Sequence, residues 1–173
     1  MKKDRRCCCM AFRKRITQEF ATIFYHWFLL VQPSSFPETL VANSAEYFLK
    51  STLLWLGGHP INEAIPDFVG PEVFQEYFRT FRDPATIHAI CEDYRAAASS
   101  DLAHDKADLD KKIQCQLLVL WSEKGPSHRM YNVMQTWKDR AVQANGKSMP
   151  TGHFLPEQMP KELTAKLKEF LQS

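Results

Sequence analysis

The stretch Cys115-Gln-Leu-Leu-Val-Leu-Trp121 does most to limit what this chain can fold into. It is a short, nearly unbroken apolar run entered from a charged segment. A strand apolar on both faces belongs inside a parallel sheet. Parallel strands cannot be joined by a hairpin and need a crossover, usually a helix. A loop at Ser122–Ser127 and a helical pattern over Met130–Val142 provide one, and Gly146–Met149 supplies a brief second strand. Pro160–Leu171 then reads as a helix with Leu163, Leu167, Phe170 and Leu171 on one face. The last third is therefore strand–helix–strand–helix, which makes the fold class α/β.

The earlier part is helical throughout. Ile16 to Val31 reads as one helix stopped by Gln32-Pro33. Glu38 to Leu56 reads as a second, with Leu40, Val41, Ala45, Phe48, Leu49, Thr52 and Leu53 at helical spacing and Gly57-Gly58 closing it. Pro71–Phe81 is short and amphipathic. Asp83-Pro84 forms an N-cap and first-turn pair for a helix running to about Ser99. Asp101–Lys112 is polar, lacks an apolar period and reads as a surface connection. The chain divides into 1–23, a basic, cysteine-rich leader with the start of the first helix, then the helical region 24–112, then 113–173.

Charge and cysteine content remove several function classes. Of the 22 basic and 20 acidic residues, seven basic and one acidic lie in residues 1–15, so the body that follows is acidic. Nucleic acid is not an expected partner of such a body. No run of about 18 apolar residues exists to span a membrane. Ala21–Val31 after the basic start resembles a signal peptide, with Val41–Ala45 as a cleavage site, but His26 and Gln32-Pro33 interrupt that pattern. Residues 1–15 read as a leader outside the folded core. The five cysteines include the run Cys7-Cys8-Cys9 and form no C-x-x-C pair, so neither a zinc site nor a disulfide framework is indicated. Cys91 and Cys115, in apolar surroundings, read as small core residues. The expected location is a reducing cytoplasm.

The sharpest local signal for chemistry is Thr151-Gly-His-Phe-Leu-Pro-Glu157, after the second strand. A glycine before a histidine lets the backbone turn sharply and project the imidazole over the sheet edge. A general base needs such a position. The plainer reading is a loop histidine bonded to backbone.

Phe24-Tyr-His-Trp-Phe28, Gln32-Pro33, Pro37-Glu38, Cys91-Glu-Asp-Tyr-Arg-Ala96, Leu117–Trp121 and Gly152-His-Phe-Leu-Pro-Glu157 occur in this order. Together they resemble the haloacetate (fluoroacetate) dehalogenases of the α/β-hydrolase superfamily, from about Phe24 to the C-terminus. The resemblance covers the C-terminal portion of that fold, making 24–112 a helical cap and 113–173 the last part of the core. In such enzymes an aspartate displaces halide from the carbon beside the substrate carboxylate, and a histidine activates water to hydrolyse the resulting ester. The resemblance makes His153 that catalytic histidine. It makes His26, Trp27 and Tyr94 the donors to the departing halide, converging beneath the cap with His153 opposite. The plainer readings are core aromatics for Trp27 and Tyr94 and a buried histidine for His26. The implied partner is a small halocarboxylate. No cofactor or metal is implied, and a homodimer is compatible with the pattern.

Two departures qualify the resemblance. No Gly-x-Asp-x-Gly or Gly-x-Ser-x-Gly elbow can be drawn from Gly57, Gly58, Gly70, Gly125, Gly146 and Gly152. The loop Trp121-Ser-Glu-Lys-Gly125-Pro126 carries glycine where many α/β hydrolases place the triad acid, which agrees with the dehalogenases, whose acid precedes the cap. Upstream of Phe24 only Asp4 and Glu19 are acidic, and neither matches the nucleophile or the acid. The expectation is a truncated, dehalogenase-like hydrolase without its nucleophile. The alternatives are another cap-bearing hydrolase, such as an epoxide hydrolase using Tyr47, Tyr77 and Tyr94, and a non-catalytic interaction module.

Overall fold

The computed structural model describes residues 17–61, 64–65 and 67–172. The Cys7-Cys8-Cys9 run, Asp4 and the basic leader lie outside the described residues. The chain forms two compact units, one from Met1–Phe48 with Glu76–Lys112, the other from Leu49–Gln75 with Ile113–Ser173.

In the first unit, α1 (Gln18–Ile23) starts at Thr17, whose hydroxyl accepts the Phe20 N–H at 3.1 Å. The single helix expected to Val31 is two, because the chain bends at Phe24 (φ −103°, ψ 29°) before α2 (Tyr25–Leu30). Burial explains the break. Phe24 and His26 are both buried, yet residues two apart point to opposite sides of a straight helix. A bend lets both turn inward.

Helix α3 (Phe36–Ala42) and α4 (Ala45–Gly57) likewise replace one expected helix. Asn43 and Ser44 separate them, residues whose side chains compete for backbone hydrogen bonds and favour turns over helix interiors. After α5 (Gly70–Phe81) comes α6 (Pro84–Ala98), capped as expected, with the Asp83 carboxylate accepting the Ala85 N–H at 2.9 Å. Ser100–Ala107 is a helix, α7, and not the expected bare connection. It buries no residue. Asp101 in its first turn and His104 and Lys106 in its last complement the helix dipole instead of an apolar face. The core of this unit is Leu30, Val41, Ile87 and Cys91, with Phe48, Phe81, Ile90 and Tyr94 packed on it.

The second unit holds the sheet. Strand β1 (Ile113–Ser122) pairs in parallel with β2 (Ala141–Met149), with Val119 opposite Gly146 and Ser122 opposite Met149. The crossover is helical in two pieces, α8 (Pro126–Met130) and α9 (Val133–Arg140), the second capped by the Asn132 side chain accepting the Gln135 N–H at 3.1 Å. Strand β2 starts five residues before Gly146. Its sequence, Ala-Val-Gln-Ala-Asn-Gly-Lys-Ser-Met, has no strand run of its own, so pairing with β1 decides its length. Helices α10 (Leu155–Gln158) and α11 (Pro160–Leu171) end the chain. Cys115 corrects an expectation: it lies in the exposed first part of β1, while Cys91 is fully buried. Among the described residues no helix is long and apolar enough to cross a membrane.

Ile87 is 1% exposed at the centre of the first core, so Ile87→Ala is expected to cost about 2–5 kcal/mol. Cys115→Ser should stay within about 0.5 kcal/mol, as for other exposed positions. Urea unfolding of the two variants beside the parent chain measures both.

Candidate functional site

His153 stands in the turn that follows β2, and an unusual amount of backbone is committed to holding it. Its N–H donates to the Leu56 carbonyl at 3.0 Å, and its carbonyl accepts the Leu155 N–H at 3.1 Å. Two residues earlier, the Thr151 N–H bonds to Met149 O at 2.7 Å, while the Thr151 carbonyl accepts the Ser122 hydroxyl at 2.7 Å. The Thr151 hydroxyl donates to Gln158 Oε1 at 3.0 Å, and Gln158 Nε2 donates to the Gly57 carbonyl at 3.1 Å. The end of β1, the end of β2, helix α10 and the end of α4 thus meet around one turn.

Gly152 makes this approach feasible. A Cβ there would lie 2.5 Å from the Gly57 carbonyl oxygen and 2.9 Å from Gln158 Oε1. A backbone oxygen cannot swing aside as a flexible side chain would, so only glycine fits. The imidazole meets Phe154 edge-on at 5.2 Å, and Phe154 stacks on Phe68 at 6.0 Å. His153 as a residue remains exposed. Partial desolvation lowers its pKa, with the Glu157 carboxylate pulling the other way. His153 is therefore held as neutral imidazole, the form that accepts a proton.

In the first unit, three rings meet. Tyr94 on α6 sits edge-on to Trp27 at 5.3 Å and to His26 at 6.0 Å, both on α2. His26 is buried and Trp27 partly so. Burial raises the Tyr94 pKa, and the charge of Asp93 adds to it, so the phenol keeps its proton. A partly buried phenol, an indole and an imidazole in contact bring O–H and N–H donor groups together.

Next to this cluster lies a half-buried charge knot that motif reading did not resolve. The Arg95 guanidinium donates through Nε to the Gln32 carbonyl at 2.9 Å, contacts Glu38 Oε1 at 2.8 Å and donates to Glu92 Oε1 at 2.6 Å. His88 Nδ1 is 3.2 Å from the same Glu38 oxygen. Burial raises the Glu38 pKa, but its backbone N–H bond, Arg95 and His88 outweigh that and hold the carboxyl below its ordinary range. Glu38, His88 and Glu92 come close enough together to suggest a cation site. The Arg95 guanidinium already fills that role. The Gln-Pro, Pro-Glu and Glu-Asp-Tyr-Arg strings of the sequence are three strands of this one knot.

No known family profile matches the chain. It is 32% identical over 151 residues to the fluoroacetate dehalogenase of a Burkholderia species, an alignment covering 87% of this chain and 48% of that protein. A solved protein from Nostoc sp PCC 7120, named as an α/β hydrolase, is 46% identical with a TM-score of 0.85, over 94% of this chain and 54% of its own. The chain carries the C-terminal portion of an α/β-hydrolase fold. A Pseudomonas aeruginosa protein named as an epoxide hydrolase is 37% identical, with a TM-score of 0.84 over 95% of this chain and 53% of its own. This α/β-hydrolase chain spans about half the length of the relatives it matches. Parallel β1–β2 pairing, the helical crossover and the histidine turn are the parts of the hydrolase core that it carries.

Gly152→Ala is expected to cost about 1–3 kcal/mol through overpacking and to shift the His153 Cε1 proton resonance, which NMR and thermal melts detect together. A lowered folded pKa means that the unfolded chain binds the His153 proton more readily. Stability should therefore fall as pH drops from the ordinary histidine range towards the folded pKa. That fall should be smaller in His153→Gln, as urea unfolding across the acidic range will show.

Proposed function

We propose that this chain forms the cap and the histidine-bearing portion of a hydrolase that cleaves the carbon–halogen bond of short 2-halocarboxylates. The observation that carries the reading is the contact of Tyr94 with Trp27 and His26, three donor-bearing rings on two helices. A halide leaving carbon takes the bonding electron pair with it and needs fixed donors in a site poor in water. Donors already in place provide this without reorganisation. The similarity to fluoroacetate dehalogenase supports the same substrate class.

The reaction runs in two displacements. A carboxylate oxygen attacks the carbon bearing halogen, the carbon–halogen bond breaks, and halide departs towards the donors while an ester forms. His153 then takes a proton from water, whose oxygen adds to the ester carbonyl; the ester C–O bond breaks, the departing alkoxide takes that proton back from His153 to become the hydroxy acid, and the carboxyl group loses its own proton to solvent. The lowered pKa of His153 suits the second step, because the base is unprotonated at neutral pH. The carboxylate for the first step has no elbow among the glycines of this sequence. Catalysis therefore depends on a segment that supplies one. In the epoxide-hydrolase reading, favoured by the name of the Pseudomonas relative, tyrosines polarise the epoxide oxygen. Tyr94 could serve, but Tyr47 is 67% exposed.

The test is anion binding by the chain itself. Chloride and bromide should quench tryptophan fluorescence saturably, and Trp27→Phe should abolish the saturable part. Tyr94→Phe should raise the half-saturating concentration roughly tenfold, the effect of losing one hydrogen bond to a charged acceptor. Purely collisional quenching, equal in all three proteins, would overturn the reading. On its own the chain should release no fluoride or chloride from haloacetates. Turnover that disappears in His153→Ala would show that an acid such as Glu19 acts as nucleophile.

A further inference from the structure

We propose that Arg95 is the positioning residue of the aromatic cluster: by gripping Gln32 and Glu38 it fixes the Tyr94 ring against Trp27 and His26. This rests on the halide reading for its purpose but not for its geometry. Tyr94 and Arg95 are adjacent on α6, so the two side chains leave the helix about 100° apart. One reaches Trp27 and His26 on α2. The other reaches the Gln32 carbonyl just past the end of α2 and Glu38 in the first turn of α3. The helix that carries two of the rings is thus held at its C-terminal end by the residue next to the third.

The chemistry of the grip makes it a positioning device and not general packing. Arg95 and Glu38 are 17% and 14% exposed at their side chains, so their contact is partly shielded from solvent. The planar guanidinium donates from Nε to Gln32 and from Nη1 to Glu92, while Nη2 lies 2.8 Å from Glu38 Oε1. Lysine has the charge but not this fork. Gln32 closes the arrangement, its Nε2 donating to Phe28 O within α2 at 2.8 Å. A slip at the guanidinium rotates α6 against α2, and Tyr94 is the first side chain to feel it. The two carboxylates also neutralise Arg95, so it does not draw anions itself.

Arg95→Lys keeps the charge and removes the fork, so its effects report geometry. In the full chain labelled with 3-fluorotyrosine, with the Tyr94 signal assigned by Tyr94→Phe, Arg95→Lys should move the Tyr94 fluorine resonance and lower its pKa. Chloride half-saturation should rise about tenfold, as for loss of the Tyr94 donor. In the Tyr94→Phe background, Arg95→Lys should add nothing further. Glu38→Gln should reproduce the chloride effect and stands in if Arg95→Lys does not fold by circular dichroism. An unmoved Tyr94 resonance, or additive losses in the double variant, would overturn the proposal. If the parent chain shows no saturable chloride signal, the halide reading fails, while the fluorine resonance still decides the role of Arg95.

Discussion

Parallel pairing of β1 with β2 is the constraint on which the second unit depends. Neither strand can satisfy its backbone without the other, and the pairing requires a crossover that the intervening helices α8 and α9 provide. The ladder ends with Ser122 opposite Met149, and the next hydrogen bonds continue it into the turn: Glu123 N–H to Met149 O, then Lys124 N–H and the Ser122 hydroxyl to Thr151 O. The histidine turn is an extension of sheet geometry beyond the last strand pair, which is why a loop residue is held as firmly as a strand residue. Glycine at 152 and at 57 lets two stretches of backbone nearly touch there. At 57 a Cβ would meet the Phe68 ring at 2.8 Å, so the same closeness serves the aromatic stack beside His153.

What was legible in the sequence had a local cause. Asp83-Pro84 marks a helix start because the cap and the fixed φ act within one turn, and the structure caps there. The run Leu117–Trp121 announces a parallel strand from apolar content alone. What could not be read depends on partners distant in sequence. Strand β2 begins at Ala141 because β1 is there to bond it, and nothing in Gln143 or Asn145 favours a strand. The bend at Phe24 follows from burying both Phe24 and His26, which helical periodicity alone does not demand. Cys115 illustrates the opposite failure, an apolar neighbourhood in sequence that lies on the exposed part of a strand.

The candidate site was legible as residue types but not as an arrangement. Tyr94, Trp27 and His26 stand out in their strings, yet the reason the strings contain Gln32, Glu38 and Arg95 as well becomes visible only when the guanidinium is seen bridging 63 residues of sequence. A half-buried ion pair of this kind adds little net stability, because desolvating both charges offsets much of the attraction. Such pairs specify one arrangement of helices among several of similar packing energy.

On the proposed halide reading, the division of charge between the ring cluster and the Arg95 knot follows from what an anion-handling site must avoid. A free guanidinium beside the rings would bind halide, but it would also bind any carboxylate, and bidentately. Glu38 and Glu92 remove that option by occupying the guanidinium from two sides. That reading leaves anion recognition to Tyr94, Trp27 and His26, whose dipolar donors act at short range. A dipolar donor discriminates by distance and direction, and its attraction falls away faster than that of a full charge. The same reading needs His153 neutral, the form its lowered pKa favours, since an imidazolium could not accept the proton of an attacking water. On that reading a small, departing ion is held by the geometry of the donors, because the Arg95 charge is already taken up by its two carboxylates.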